Sequence, residues 1–452
     1  MSLLRFGEGS LQPSLLIFGV IIVRNFFYNF DWILISENDC YFLVDRKSNK
    51  RIEINQALFS ILERTSTDPI TKNIVSEIGE DTFEVLRENK IFSYQKPKFH
   101  SDIVKIQQTT PFLKRVFVEI TNSCNEFCSH CYNVSSNFKH KFISKSDMFE
   151  IINQAHELGA YEFQITGGEP MLYKGFGDIL DYLWVKGFII TINTNLTLLT
   201  EEILEKIVSY NININFSLDY SNPKKHDEFR GLQGAFIKTI NNFKQLKTNH
   251  VNTRVNVMLD NKSDSEIVDL IDYIKYDLES RYVTDYMIPI GRGEGSESQF
   301  FNSRSQKIYA FTNAIKSDSC ASCQLDKRTL EEYEYSNITF PDCGIGKSFL
   351  FINTNGSYAL CPSLAYTDEL DINMNIYDSS MKSAWETLVQ KFRSSLKCKH
   401  EHSCDYSAIC NGGCRSRAYH SLGSINDIDP LVCGVYQSKY YIEGIDKDVS
   451  TK

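Results

Sequence analysis

Between Trp32 and Ile54, apolar and polar positions alternate in three short runs, Trp32 to Ile35, Tyr41 to Val44 and Arg51 to Ile54, broken at Asn38-Asp39 and Ser48-Asn49. Period-two alternation bounded by turn residues predicts a small antiparallel sheet. Three stretches of helical spacing follow at Gln56–Glu63, Pro69–Ile78 and Asp81–Asn89, and Pro69 suits a first helical turn. A sheet with three helices makes a winged-helix-like α+β module over residues 31–98. Such modules often bind DNA. Residues 30–98, however, carry twelve acidic against ten basic side chains, a net −2 that argues against gripping phosphates.

Beyond the polar connector Gln95–Thr110 the pattern becomes a regular alternation of strand and helix. Strand-like runs are Val116–Thr121, Phe163–Thr166, Phe188–Asn193, Ile212–Leu218, Thr253–Leu259 and Val283–Pro289. Helical spacing lies between them at about 145–159, 176–186, 201–210, 235–247 and 264–278, with starts marked by Thr200 and by Ser263 with Glu266 at capping-box spacing. Strands separated by single helices imply an α/β unit with a parallel sheet, either a barrel or an open doubly wound sheet. Both place their chemistry at the carboxyl ends of the strands. This unit spans 112–317. The last segment, 318–440, has little periodicity.

At 452 residues the chain has room for several compact units, and 42% hydrophobic with 23% charged residues is an ordinary globular balance. The formal charge of −9 excludes a general nucleic-acid binder. The apolar run Leu15–Val23 is about half of the ~20 residues a membrane span needs, and with Glu8 ahead of it and no cleavage site behind it the sequence predicts no export. A cytoplasmic protein without a membrane span is expected, and residues 1–30 receive no role.

Cysteine is the outlier. There are thirteen, with only Cys40 before Cys124 and nine between Cys320 and Cys433. In a reducing compartment such clustering favours metal or cluster ligation over disulfides. Cys40 reads as a small buried hydrophobe. Directly after the first barrel strand, Thr121-Asn122-Ser123-Cys124-Asn125-Glu126-Phe127-Cys128-Ser129-His130-Cys131-Tyr132 spaces three thiols C-x3-C-x2-C. Three thiolates from one loop hold three corners of a cubane and leave the fourth iron open, the vacancy at which a cofactor binds. A zinc knuckle is the bland alternative, and His130 reads as a solvated side chain rather than a fourth ligand. At the end of the second strand stands Thr166-Gly167-Gly168-Glu169-Pro170, where the glycines allow a close backbone approach to a ligand and Glu169 offers a carboxylate.

The cysteine loop followed by Gly-Gly-Glu-Pro resembles the radical S-adenosylmethionine (SAM) superfamily over about residues 112–300. The resemblance implies a partial (β/α)6 barrel, a 4Fe–4S cluster on Cys124, Cys128 and Cys131 as the catalytic centre, and SAM chelated to the open iron and cleaved to a 5′-deoxyadenosyl radical. It implies SAM contacts at Tyr132, Gly167, Gly168, Glu169, Pro170, Asn193, Asn195, Ser217 and Asp219. The segment His226 to Phe236 also resembles the family, which puts Arg230 near SAM or, equally, in a helix-entry salt bridge. Gly291-Arg292-Gly293 either cradles adenine or turns the chain.

The later cysteines resemble the SPASM extension of radical SAM enzymes that act on peptides. The resemblance implies one auxiliary cluster on Cys343, Cys361, Cys414 and either Cys323 or Cys320, and a second on Cys398, Cys404, Cys410 and Cys433. The x5 interval from Cys398 to Cys404 departs from the common x2, and two zinc sites fit the same count. In this company the module over 31–98 resembles the leader-recognition element of ribosomal-peptide maturases, most like those that join cysteine sulfur to alpha carbons in sactipeptides. The implied partners are a precursor peptide, whose leader is added to the module's sheet edge, and a one-electron donor such as flavodoxin or ferredoxin.

Overall fold

The computed structural model describes residues 4–5, 27–28, 32–37, 40–45, 50–65, 70, 72–93, 113–295, 298–314, 340, 343–392 and 396–436. Leu15–Val23, Cys320 and Cys323 lie outside the described residues. The amino-terminal part has β1 (Leu4–Arg5), β2 (Phe27–Tyr28), β3 (Trp32–Glu37), β4 (Cys40–Asp45) and β5 (Arg51–Ile54), then α1 (Gln56–Thr65), α2 (Lys72–Ile78), α3 (Glu80–Glu88) and β6 (Phe92–Ser93). The antiparallel order is β1-β5-β4-β3, so the expected three strands gain a fourth from Leu4–Arg5. Alternation divides β3 and β4 between two layers. Trp32, Leu34 and Leu43 pack on the helices, while Ile33, Ile35 and Val44 pack on Tyr161 and Ile189 at the amino-terminal ends of the next unit's strands. Cys40 is not buried: it sits exposed where β4 begins, opposite Glu37.

The central unit runs β7 (Arg115–Glu119), α4 (Lys145–Glu157), β8 (Glu162–Thr166), α5 (Phe176–Val185), β9 (Ile189–Thr194), α6 (Glu201–Ser209), β10 (Asn213–Ser217), α7 (Pro223–Arg230), α8 (Ala235–Thr248), β11 (Thr253–Met258), α9 (Asp264–Asp272) and β12 (Arg281–Asp285). Neighbouring strands from β7 to β12 pair in parallel and in chain order, giving the expected six-stranded α/β unit. The last strand begins two residues before the expected run, because Arg281 and Tyr282 already pair with β11. Helix starts follow local chemistry: Thr200 accepts from Ile203 N, and Ser263 with Glu266 closes a complete capping box.

Val116, Val118, Phe163, Ile165, Ile190, Ile192, Ile214 and Phe216 face the helices as one apolar core. Among their alternates Phe117 packs on Phe349 and Phe351, while those of β8 to β10 include a polar ladder. Asn193 Oδ1 accepts from Gln164 (3.1 Å) and from Asn215 (2.9 Å) across three strands.

After α10 (Ser298–Phe301) and α11 (Ser303–Ala314), β13 (Phe349–Ile352) returns to pair in parallel with β7, and β14 (Tyr358–Ala359) pairs antiparallel with β13. The carboxyl-terminal unit thus extends the barrel sheet from its first strand. It continues through α12 (Met381–Phe392), α13 (Ser407–Cys410), α14 (Arg415–Leu422) and α15 (Pro430–Val435). Arg417, fully buried, ties it to the barrel by pairing with Asp429 (2.9 Å) and Asp285 (2.6 Å). Among the described residues no helix is long and apolar enough to cross a membrane.

Candidate functional site

Cys124, Cys128 and Cys131 lie on the loop that leaves β7. Cys124 and Cys128 are buried and Cys131 is half-buried, and the charges of Cys124 and Cys131 both bear on Cys128. Backbone amides of Glu126 and Ser135 donate to Cys124 Sγ (3.4 Å) and Cys131 Sγ (3.3 Å). Burial pushes the Cys124 thiol up to about 12 and Cys128 well above its ordinary value, despite the nearby Arg230 guanidinium. Thiols in this setting ionise when a metal displaces their protons, so the loop suits ligation rather than free nucleophilic chemistry.

The Gly-Gly-Glu-Pro turn after β8 is bolted to this loop: Gly168 N donates to Thr121 O (2.7 Å) and Glu169 N to Ser123 O (2.8 Å). A Cβ on Gly168 would stand 2.2 Å from Ser123 O and 2.8 Å from Cys124 Cβ, and one on Gly167 would stand 2.5 Å from Thr121 O. The glycines therefore make room for the cysteine loop itself, which the sequence reading had not anticipated. Pro170 opens a single 3₁₀ turn. Glu169 is buried. Its Oε2 accepts from Asn195 N (2.7 Å) and its Oε1 from Thr194 Oγ1 (2.8 Å) and Met171 N (3.0 Å). Burial raises its pKa to about 7 against those donors. A carboxylate has about four acceptor sites, so the chain's own donors leave little more than one for a ligand.

Asn195 Nδ2 donates to Asn125 Oδ1 (2.8 Å) and Asn125 Nδ2 to Thr197 Oγ1 (2.8 Å), buckling the end of β9 to the cysteine loop. Asn193 Oδ1 is held by the interior ladder, and Ser217 ends β10 half-buried. Asp219 accepts from Met258 N (3.0 Å) and pairs with Arg230 (3.2 Å), which also binds Glu126 (2.8 Å). Arg230 stands in the last turn of α7, so the helix-entry reading fails; its salt bridges reach into the cysteine loop from a helix end. His130 is half-buried rather than fully solvated: it stacks on Phe229 at 4.9 Å, its Nδ1 has no partner, and desolvation lowers its pKa to about 4.

The carboxyl-terminal thiols form two groups. Cys361 is half-buried with Cys414 and Cys343 bearing on it, and desolvation followed by those two charges raises its pKa. Burial likewise pushes Cys414 up to about 11. Cys398, Cys404, Cys410 and Cys433 all line one cavity of about 110 Å³. On this measure one water needs about 10–15 Å³, so the void is larger than a bare ion needs. Among the described residues no three Cys, His, Asp or Glu side chains converge on a single-ion site. A cubane asks for no such point, since each thiolate takes its own iron.

Residues 118–274 match the family model of the Radical SAM superfamily. These residues form a radical SAM domain. That domain implies a 4Fe–4S cluster and SAM. Across the radical SAM domain and beyond it, the chain is 25% identical to the AdoMet-dependent heme synthase of Methanosarcina barkeri over 69% of this chain and 94% of that protein. It is 26% identical to the antilisterial bacteriocin subtilosin biosynthesis protein AlbA of Bacillus subtilis over 67% and 68%. Streptococcus suis SuiB bound to precursor peptide SuiA superposes with a TM-score of 0.63 at 17% identity, covering 90% of this chain and 99% of that one.

Two features of the radical SAM domain escaped the sequence. Glu119, wholly buried at the end of β7, accepts from Tyr132 OH (3.1 Å), Thr354 Oγ1 (3.0 Å) and Tyr366 OH (2.8 Å). Tyr132 therefore points to a carboxylate shared with the carboxyl-terminal unit. Burial raises the Glu119 pKa while these hydroxyls oppose it. Gly291–Gly293 turns the chain in a single 3₁₀ turn, one of the two expected readings, and from it Arg292 braces the cysteine loop: its guanidinium donates to Cys128 O (2.6 Å) and Ser135 O (3.0 Å). The surrounding glycines were the only sequence signal.

Proposed function

We propose that this radical SAM enzyme is a maturase of a ribosomally made peptide and closes sactionine-type thioethers, joining a cysteine sulfur to an alpha carbon. The observation that carries the peptide reading is β3. It pairs with β4 on one side only, among the described residues, and its two faces are covered by helices and by the barrel. An edge held rigid on both faces suits an added leader strand. The likeness to a subtilosin biosynthesis protein and to a fold seen with a precursor peptide supports the same substrate class.

In this reading Cys124, Cys128 and Cys131 hold the SAM-binding cluster. Gly167, Gly168 and Glu169 face the SAM amino group, with Pro170 fixing their turn. Asn193, Asn195, Ser217 and Asp219 bracket the methionine and ribose, Tyr132 abuts the site, and Arg230 lies beside SAM through its ties to Glu126 and Asp219. Cys343, Cys361 and Cys414, with Cys323 or Cys320, hold one auxiliary cluster, and Cys398, Cys404, Cys410 and Cys433 hold the other. The cluster that Cys124, Cys128 and Cys131 would hold would supply, with SAM, a 5′-deoxyadenosyl radical able to take a peptide hydrogen. The auxiliary clusters that the later cysteines would hold would accept the one electron left over when a substrate thiolate closes the carbon–sulfur bond on that carbon.

The test is anaerobic reconstitution with iron and sulfide, then reduction with SAM and the cysteine-bearing peptides encoded beside the gene. Expected are about twelve irons for three cubanes, 5′-deoxyadenosine, and loss of two hydrogens per crosslink. Zinc without deoxyadenosine overturns the reading. The likeness to a heme synthase favours a second reading without a leader. Deleting residues 1–98 separates the two, since peptide maturation would stop whereas a leaderless reaction would continue.

A further inference from the structure

The cysteine loop has one face that the proposed chemistry does not use. On its inner side Glu126, Arg230 and Asp219 close the loop with buried ion pairs. On its outer side Phe127, lying between Cys124 and Cys128, is 54% exposed, and Val134, Phe138 and Phe142 are 37%, 83% and 62% exposed. Phe127 is joined to the following segment through Arg292, whose guanidinium lies 4.0 Å from the Phe127 ring while it donates to Ser135 O. That segment is no loose flap. Cys124 N donates to Ser136 O (3.1 Å), Asn122 N to Lys141 O (3.1 Å) and Lys141 N back to Asn122 Oδ1 (2.9 Å), while Thr121 bridges Phe142. Whatever sits on these phenylalanines therefore sits on backbone that is hydrogen-bonded to the first cluster ligand.

The charge of this face is the reverse of the chain's. From Phe127 to Ser146 there is no Asp or Glu, and of the three lysines within it Lys145 pairs with Asp178 while Lys139 and Lys141 form no ion pair with a described residue, in a protein of net charge −9. Exposed aromatics within a cationic rim on an otherwise acidic molecule suit a transient partner of opposite charge. We infer that the Phe127–Phe138–Phe142 face, with Lys139 and Lys141, is the docking surface for a small acidic one-electron carrier protein whose flavin or iron–sulfur centre lies near its own surface. This rests on the proposed ligation by Cys124, Cys128 and Cys131. Docking makes and breaks no bond; one electron leaves the reduced carrier and enters the cluster. Electron transfer weakens steeply with distance, and Phe127 brings this face into the loop between Cys124 and Cys128, whose inner side is closed by buried residues.

The experiment compares the reconstituted full-length chain with K139E/K141E and, separately, F138S. The first readout is calorimetric binding of oxidised flavodoxin, and of a plant-type ferredoxin, at low and high salt. Both variants should weaken binding of the carrier that the wild type accepts by about tenfold, and the charge reversals should flatten its salt dependence. The second readout is SAM cleavage, which should fall when the carrier supplies electrons and stay unchanged with dithionite. Wild type that binds neither carrier, or variants that bind as wild type does, would overturn the inference. So would an equal loss with dithionite, which would make the face structural. Carrier binding without any 5′-deoxyadenosine would instead break the functional reading and leave the surface measured.

Discussion

One added methyl group tests how closely the two halves of the site are bolted together. In Gly168→Ala the new Cβ meets Ser123 O at 2.2 Å and Cys124 Cβ at 2.8 Å, against an ordinary contact of about 3.4–4 Å. Neither neighbour is the free end of a flexible side chain, so the turn must move off the cysteine loop by about 1 Å. That breaks the 2.8 Å bond from Glu169 N to Ser123 O. Overpacking costs about 1–3 kcal/mol and the hydrogen bond about 1 kcal/mol, together enough to displace Cys124 or Glu169 rather than to be absorbed. A misplacement near 1 Å lowers rates by about a hundredfold. The assay is dithionite-driven formation of 5′-deoxyadenosine, with iron counted on the same sample. Gly187→Ala is the control: at φ 86° it meets nothing within 4 Å, so it pays only backbone strain of about 1 kcal/mol and should cleave SAM normally. G168A activity within twofold of wild type would refute the reasoning.

Cys128→Ala should abolish SAM cleavage, whereas Cys433→Ala should spare it, lose about four irons and yield no crosslinked peptide, as mass spectrometry would show. Arg417→Leu strips the buried Asp429 of its cation at a cost of about 3–5 kcal/mol, so the melting temperature should fall by roughly 6–10 °C in a fluorescence melt, and by less when Asp429→Asn accompanies it. Glu266 is held down to about 2 from an ordinary 4.5, first by the Lys225 ammonium and then by Ser263. A depressed folded pKa adds stability above the unfolded value and loses it as pH falls. The gap in melting temperature between wild type and Glu266→Gln should therefore be full above pH 4.5 and close towards pH 2.

The barrel was legible because its strands repeat one pattern and its helix starts carry side-chain caps, which are local chemistry. What stayed hidden depends on partners distant in sequence. Nothing near Glu119 announces Tyr366, and nothing near Arg292 announces the carbonyls of Cys128 and Ser135. His130 looked solvated because the adjacent Cys131 already serves as a ligand, yet Phe229 arrives from α7 to stack on it. Cys40 misled in the opposite direction: its small apolar character suggested burial, but it begins a hairpin strand at the solvent. The glycines before Glu169 signalled a close approach correctly without revealing that the cysteine loop fills it.

The pairing of β7 with β13 joins segments that synthesis separates widely, as Glu119 and its partner Thr354 are 235 residues apart. At about 5–20 residues per second on the ribosome, the cysteine loop waits on the order of ten to fifty seconds before its neighbouring strand exists. During that interval the edge of β7 is unpaired and Glu119 lacks two of its three hydroxyl donors. The cysteine loop is therefore complete before Thr354 and Tyr366, which fix the carboxylate at its root, have been made.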